Sequence, residues 1–430
     1  MSWDFETDPE FQTKLDWVEK FVREEVEPLQ YVLGHPADVR DPRRAKLVRP
    51  LQQEVRRQGL WACHLGPELG GQGFGQVKLA LLNEILGGAS YGPSVFGCQA
   101  PDSGNAEILA HYGTPEQKKK YLEPLLANEI VSCYAMTEPQ GGADPDVFTT
   151  RAQRNGDYWE ITGQKWFASH ARYAEFLIVM AVTDPDAPLM KRMSMFIVPA
   201  DAPGLKVVHN YGFVTEKEPN HGHLNFDRVR VPLDAMLGDE GNAFIVAQVR
   251  LGGGRIHHAM RTIGEARRAL GMMMERVVSR STKGERLSNK QMVQEKIADS
   301  WMELEQFRLL VLRTAWLVDK HKDYKKVRKD ISAIKALMPK VLHDIAARAL
   351  HLHGSLGITE EMPFTHQVMQ SFHMGLADGP VEVHKVTVAR QLLREVTPCT
   401  TQFPSYHLHV RREAAIAKFR EALEHIDDAV

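Results

Sequence analysis

Val131-Ser-Cys-Tyr-Ala-Met-Thr-Glu-Pro-Gln-Gly-Gly-Ala-Asp144 is where the chain changes character. It begins as a run of β-forming residues and ends in a proline and glycine loop. Before it, residues 10 to about 128 read as helix. Phe11, Leu15, Val18, Val22 and Val26 recur at steps of three and four, which places them on one helical face. Pro28 stands where it would help to end that run. Further helical stretches cover 43–60, 76–89 and 105–126, broken by the loop Gly66-Pro-Glu-Leu-Gly-Gly-Gln-Gly73.

After the turning point the texture is that of strands. Val131–Met136, Tyr158–Phe167 with a turn at Thr162-Gly163, Ala174–Thr183, Ser194–Val198, Leu205–Tyr211 and His223–Val231 are the candidates. Short strands at this spacing predict a small barrel or sandwich. Helical texture returns after 242. Met292 to Lys320 predicts one long helix. Ile331, Ile334, Met338, Val341 and Ile345 trace another, in which Pro339 predicts a kink or a break. Glu382–Glu395 predicts a last helix before Pro398 and a polar helical tail, 409–427. The expected fold class is mainly α with a central β domain. Its parts are an N-terminal helical domain (1–128), a β domain (129–241), a C-terminal helical domain (242–396) and a tail (397–430).

Composition narrows the function. An apolar fraction of 43% and a charged fraction of 25% over 430 residues are those of a globular chain. Fifty-three Lys and Arg against 55 Asp and Glu leave no basic excess for nucleic acid. No apolar run approaches the ~20 residues of a membrane span. The N-terminus MSWDFETDPE is acidic and lacks a secretory pattern. Cys63, Cys98, Cys133 and Cys399 form no paired-cysteine motif, so reduced thiols and a cytoplasmic location are expected.

Hydrolytic and nucleotide motifs are missing: there is no G-x-S-x-G elbow, no H-E-x-x-H and no P-loop. His257-His258 and the pair His351/His353 lack acidic or cysteine partners at ligand spacing, so no metal is expected. Gly252-Gly253-Gly254 does not continue as a dinucleotide fingerprint. Three segments carry chemistry. Around Gly141 and Gly142 the backbone N–H groups can approach a phosphate, with the Thr137 hydroxyl at the mouth of the loop; a strand entering an ordinary turn is the alternative. Ile161-Thr-Gly-Gln-Lys-Trp-Phe-Ala-Ser-His170 leads from a turn into two aromatics and a hydroxyl, either a wall for a planar cofactor or barrel core. In Leu376-Ala-Asp-Gly-Pro-Val-Glu-Val-His384, Asp378 is either a turn and cap residue or a base at the end of an apolar wall.

Taken together and in order, these segments resemble the acyl-CoA dehydrogenase family over about residues 10–396. Gly113-Thr-Pro-Glu-Gln-Lys-Lys-Lys-Tyr-Leu122, Thr137-Glu-Pro with Gly142 and Asp144, Gly163-Gln-Lys165, and Ala377-Asp-Gly-Pro-Val-Glu-Val-His384 with Ala389-Arg390 carry the likeness. The branch it most resembles is that of family members 10 and 11, where the last signature reads Ala-Asp-Gly-Pro. The resemblance implies an α domain, a β barrel and a C-terminal four-helix bundle. It implies FAD as cofactor, an acyl-CoA substrate, an electron-transfer flavoprotein as electron acceptor, and a homo-oligomer, dimer or tetramer.

It also implies roles. Tyr134, Met136 and Thr137 would lie along the flavin ring, with Gly142 and Ala143 at its phosphate and at the substrate's thioester arm. Phe167 stands where the family's flavin-side Trp is usual, and Ser169 where Thr is. Arg280 and Gln291 would reach a neighbouring subunit's FAD; Lys283 stands where Phe is common. His351, Gly354 and Ser355 match a stretch over the adenosine half, and Pro380 and Glu382 a stretch touching the flavin. Arg255 would lie near the CoA arm and Gly379 beside the substrate. Asp378 takes the place of the catalytic Glu, one methylene shorter, in a slot whose dryness would raise its pKa. The implied reaction is α,β-desaturation by α-proton abstraction and β-hydride transfer to flavin N5. The alternatives are a flavin oxidase of the same superfamily, such as an acyl-CoA or nitroalkane oxidase, and a catalytically silent CoA-ester-binding protein.

Overall fold

Apolar residues at helical spacing do what they predict: Phe11, Leu15 and Val18 are buried along helix α1 (Pro9–Phe21), which Asp8 caps by accepting from the Phe11 N–H. The computed structural model describes residues 6–214 and 218–427. Its helices of eight residues or more continue as α2 (Arg49–Arg57), α3 (Gly75–Leu86) and α4 (Asp102–Tyr112). The long helices follow the β domain: α5 (Ala243–Ser279), α6 (Gln291–His321), α7 (Arg328–His353), α8 (Phe364–Leu376) and α9 (Val381–Arg394). One core runs through α1, α3 and α5–α8. The chain divides into two compact units, 1–385 and 386–430. The second holds the end of α9 and helices α10 (Leu408–Lys418) and α11 (Arg420–Asp427).

The expected order of helices, strands and helices holds. Helix α7 runs unbroken across Pro339, so the break allowed for there does not occur. Proline removes one backbone donor, and packing on both sides of the helix outweighs the loss. Gly375 of α8 gives the ring room: a Cβ there would meet Pro339 at 3.7 Å.

The central domain is a half-barrel. Its strands are β1 (Ser132–Ala135), β2 (Arg151–Asn155), β3 (Tyr158–Ser169), β4 (Phe176–Val182), β5 (Met193–Pro199), β6 (Leu205–Tyr211) and β7 (His221–Pro232). They pair in the order β1-β4-β2-β3-β7-β6, with β5 on the other edge of β4. Strand β4 is buried throughout and pairs parallel to β1 and antiparallel to β5. The turn expected at Thr162-Gly163 is absent. Strand β3 passes straight through it as a bulge, and the true hairpin turn lies at Asn155–Tyr158, after a strand the sequence reading missed. Gly163 is needed for a different reason: a Cβ there would stand 2.5 Å from Thr150 Oγ1.

Lys165 and Glu138 form a salt bridge of 2.8 Å with side chains 0% and 1% exposed. Lys165 Nζ also donates to the Met136 carbonyl at 2.9 Å, and Glu138 accepts from the backbone N–H groups of Thr149 and Thr150. Breaking such a pair leaves one charge buried alone. Lys165→Met is expected to destabilise the protein by about 3–5 kcal/mol, read as a shift of the urea unfolding midpoint; a loss below about 1 kcal/mol, the range of an exposed pair, would contradict this.

Candidate active site

Two consecutive residues with positive φ, Asp378 at 55° and Gly379 at 103°, turn the chain between α8 and α9. Aspartate tolerates this conformation better than most side chains. Three contacts hold the turn. Arg255 Nε of α5 donates to the Asp378 carbonyl at 3.0 Å. His384 Nε2 lies 3.2 Å from the same carbonyl, and its Nδ1 lies 3.4 Å from Ser332 Oγ. A Cβ at Gly379 would stand 3.0 Å from His384 Nε2, so the ring packs against bare backbone.

The carboxylate points inward. Asp378 Oδ1 is 3.9 Å from Arg250 Nη1 and Oδ2 is 3.8 Å from His258 Nε2. These side chains keep 18%, 12% and 24% of their surface although protein encloses them, as residues lining a cleft do. Burial pushes the Asp378 carboxyl up, but the charges of His258, Arg250, Arg255 and Lys335 outweigh it and leave the group below the usual aspartate value. This corrects the expectation of a raised pKa: the slot is enclosed, but it is cationic. Burial drives His258 itself down to about 4, so at neutral pH the cations facing Asp378 are the two arginines and Lys335. Burial likewise lowers Lys335 to about 8, and it donates to the Met374 carbonyl.

The floor beside the carboxylate is the glycine triplet, inside α5. A Cβ at Gly254 would stand 3.6 Å from Asp378 Oδ2, and one at Gly253 would stand 3.2 Å from Glu107 Oε2 and 3.5 Å from the Tyr324 hydroxyl. Burial pushes Glu107 up to about 7, with Arg250 opposing. Three glycines cost helix stability, so their presence in α5 marks a place where something must come close. That was the signal available in the sequence for this floor; the triplet was weighed there only as a dinucleotide fingerprint and His258 only as a metal ligand, while Arg250, Lys335, Glu107 and Tyr324 were not singled out.

The β domain reaches the site by two routes. Through β1, the Arg250 guanidinium lies over the Tyr134 ring, 3.9 Å from its centroid. Through β3 and β7, Ser169 Oγ bonds His221 Nδ1 at 2.9 Å. Phe213 packs 4.4 Å from both His221 and His373, the latter on α8 just ahead of the turn. Between these routes stands an aromatic wall. Phe167, 44% exposed and at φ 48°, stacks on Trp166 and Tyr211 at 5.0 and 5.6 Å. A register shift in β3 between Lys165 and Ala168 turns it outward. The backbone N–H of Trp166 donates to the Thr137 carbonyl at 2.8 Å, so the 134–144 and 161–170 segments meet directly. Lys165 Nζ on the Met136 carbonyl ties the same two segments a second time.

Of the remaining expected residues, Gly142 and Ala143 are exposed on the loop after β1, and a Cβ at Gly142 would touch Thr137 at 3.4 Å. Pro380 is half-buried and Glu382 exposed, both at the start of α9. Arg280, Gln291, His351, Gly354 and Ser355 are exposed and stand apart from Asp378. They share one end of the helical domain, where Arg276 Nη2 reaches the His353 carbonyl at 3.5 Å.

Comparison with known proteins identifies the fold. Residues 8–129, 133–229 and 241–393 match the N-terminal, middle and C-terminal domains of acyl-CoA dehydrogenase. The probable acyl-CoA dehydrogenase FadE2 of Mycobacterium tuberculosis is 38% identical over 385 residues, 85% of this chain and 93% of that one. The chain belongs to the acyl-CoA dehydrogenase family. Acyl-CoA dehydrogenase family member 10 of Mus musculus is 37% identical over 87% of this chain, which spans only 36% of that longer protein. A solved chain from Mycobacterium abscessus, assigned to the acyl-CoA dehydrogenases, superposes with a TM-score of 0.84 at 36% identity, covering 91% of this chain and 100% of its own. The family is one of oxidoreductases, and among the described residues no helix is long and apolar enough to cross a membrane.

Gly254 gives a sharp test of the floor. Gly254→Ala is expected to fold and to gain about 0.5–1 kcal/mol in unfolding free energy, because its methyl fits at van der Waals distance and alanine favours helix. Gly254→Leu is expected to fold too and to lose acyl-CoA binding, measured by calorimetry. Unchanged binding in the leucine variant would show that the cleft opens elsewhere.

Proposed function

We propose that the protein is an FAD-dependent acyl-CoA dehydrogenase that desaturates an acyl-CoA between its α and β carbons, with Asp378 as the base. The observation that carries this reading is the Asp378 carboxylate in an enclosed cleft, next to the strand that bears Tyr134 and opposite bare helix. The residues present fit a flavin: an outward-turned Phe167 on an aromatic wall and a buried Trp166 Nε1 with no protein partner. Met136 and Thr137 would hold the polar edge of the ring, Phe167 and Ser169 its flank, and Gly142 and Ala143 the phosphate. The bound flavin would supply a hydride acceptor.

The chain's own residues do the rest. An α C–H beside a thioester is a weak acid, so its removal needs a base already ionised and held in place. The cations around Asp378 keep it ionised, while Arg255 and His384 fix its backbone. A carboxylate held this low is a weaker base than a desolvated one, and substrate entry offsets this by expelling water from the cleft. The shorter side chain reaches roughly 1.5 Å less than glutamate, about one C–C bond. The inward turn of the backbone at Asp378 and the bare Gly254 together shorten that distance. As Asp378 takes the proton, negative charge grows on the thioester oxygen, where N–H groups at the start of α9 near Glu382 would receive it.

Arg280, Gln291, His351, Gly354 and Ser355, exposed on one end of the helical domain, would serve the FAD of a second copy, with Arg280 on a phosphate. This reading makes the protein a homo-oligomer that passes its electrons to an electron-transfer flavoprotein.

The test is anaerobic titration of the flavin-loaded protein with a panel of acyl-CoAs. The wild type is expected to bleach. Asp378→Asn is expected to retain its yellow colour and to lose bleaching by at least about 10³-fold in rate, the scale of a lost general base. Full bleaching by the variant would refute the base role, and rapid peroxide release in air by the wild type would favour the oxidase.

A further inference from the structure

Arg250 is one of the cations around Asp378, and its side chain touches groups from every domain at the site. Its Nε donates to Asn105 Oδ1 at 3.0 Å. Asn105 Nδ2 donates to Ser132 Oγ at 2.8 Å, and the Ser132 hydroxyl and N–H both donate to Asp102 Oδ1, at 2.6 and 2.7 Å. Asp102, Asn105 and Ser132 are all buried. The chain therefore runs from α4, through β1, to α5, and ends with Arg250 Nη1 facing the carboxylate of the turn before α9. The Tyr134 ring supports the guanidinium from below. Gly104 leaves space for the stem, since a Cβ there would stand 2.9 Å from Arg250 Cγ.

This is a guanidinium fixed on one edge and free on the other. A planar fork whose Nε is already bonded has lost most of its rotamers, so its remaining N–H groups point in one direction. At 3.9 Å the contact with Asp378 is an ion pair without a tight hydrogen bond, which leaves the carboxylate free to take a proton. A direct bidentate pair would lock the base and suppress its basicity further.

We propose that Arg250 is the positioning residue for the base: anchored on Asn105, it holds the Asp378 carboxylate ionised and turned toward the substrate's α-carbon. The proposal rests on the function argued above and adds a residue to it. The groups facing Asp378 are Arg250, Arg255 and His258 from α5, Lys335 from α7, His384 from α9 and Tyr134 from β1. Arg255 and His384 bond its carbonyl, and Lys335 is engaged by the Met374 carbonyl. Arg250 is the permanent cation directed at the carboxylate oxygens themselves.

The test compares wild type, Arg250→Met, Arg250→Lys and Asn105→Ala. Titration of the Asp378 carboxyl is followed by carbonyl ¹³C NMR, assigned by difference against Asp378→Asn. Removing a cation raises an acid's pKa, so Arg250→Met is expected to move the midpoint up by about one unit or more. Arg250→Lys keeps the charge but loses the Nε anchor, and is expected to fall between the wild type and Arg250→Met. Asn105→Ala frees the fork and is expected to shift the midpoint upward by less, and it serves if the methionine variant does not fold. In parallel, the pH profile of flavin reduction by acyl-CoA is expected to show its acid limb displaced as the carboxyl is, with kcat falling more than KM rises. A midpoint unmoved in both Arg250→Met and Asn105→Ala would overturn the proposal, and so would a lysine variant that shifts like methionine. The NMR titration needs no turnover. Failure of the wild type to reduce flavin would therefore count against the proposed function, while the role of Arg250 toward Asp378 would still be read.

Discussion

A carboxylate withdrawn from water has to be matched by charge, and the site is organised around that requirement. Asp378 sits at the end of a cleft, and cations from two helices face it. Without them, burial would protonate the group and leave nothing to take a proton from carbon. With them it stays ionised, and in the proposed reaction substrate would raise its basicity by displacing water. The surrounding design is the set of contacts that make this compromise stable. Arg255 and His384 hold the backbone of the turn, Arg250 faces the side chain, and α5 carries no side chain at Gly253 and Gly254 where an acyl group would lie.

A second buried charge pair does comparable work for the other wall. Glu138 and Lys165 come from the two segments that carry the loop after β1 and the aromatic wall of β3. Their pairing, with Trp166 on the Thr137 carbonyl, locks these segments edge to edge. Lys165 lies just ahead of the irregularity that turns Phe167 outward. Lys165 takes up the Met136 carbonyl and the backbone N–H of Trp166 the Thr137 carbonyl. Stability and the presentation of the aromatic wall, the proposed flavin surface, thus depend on one ion pair.

Much of this was legible in the sequence. The switch from a three-to-four period to short β-rich runs and back showed the order of helical, β and helical parts, and the ordered motifs pointed to the family. Other features were hidden for physical reasons. Thr162-Gly163 reads as a turn by composition, but the glycine serves close packing against Thr150 inside a bulged strand. Pro339 reads as a break, but tertiary packing carries the helix across it. The polar lining of the cleft comes from α4, α5, the loop holding Tyr324, and α7, whose residues are far apart in sequence and individually look like ordinary helix surface. Only the Gly252–Gly254 triplet hinted at the cleft, because glycine inside a helix calls for a reason. The direction of the Asp378 shift was out of reach as well, since it depends on which cations the fold brings near.

The central claim is that Asp378 removes the α-proton of an acyl thioester. It is tested most directly by following deuterium from heavy water into the α-carbon of bound acyl-CoA, by mass spectrometry under anaerobic conditions. The account predicts wash-in with the wild-type protein and none above background with asparagine at position 378. Exchange at the wild-type rate in that variant would mean that another group takes the proton.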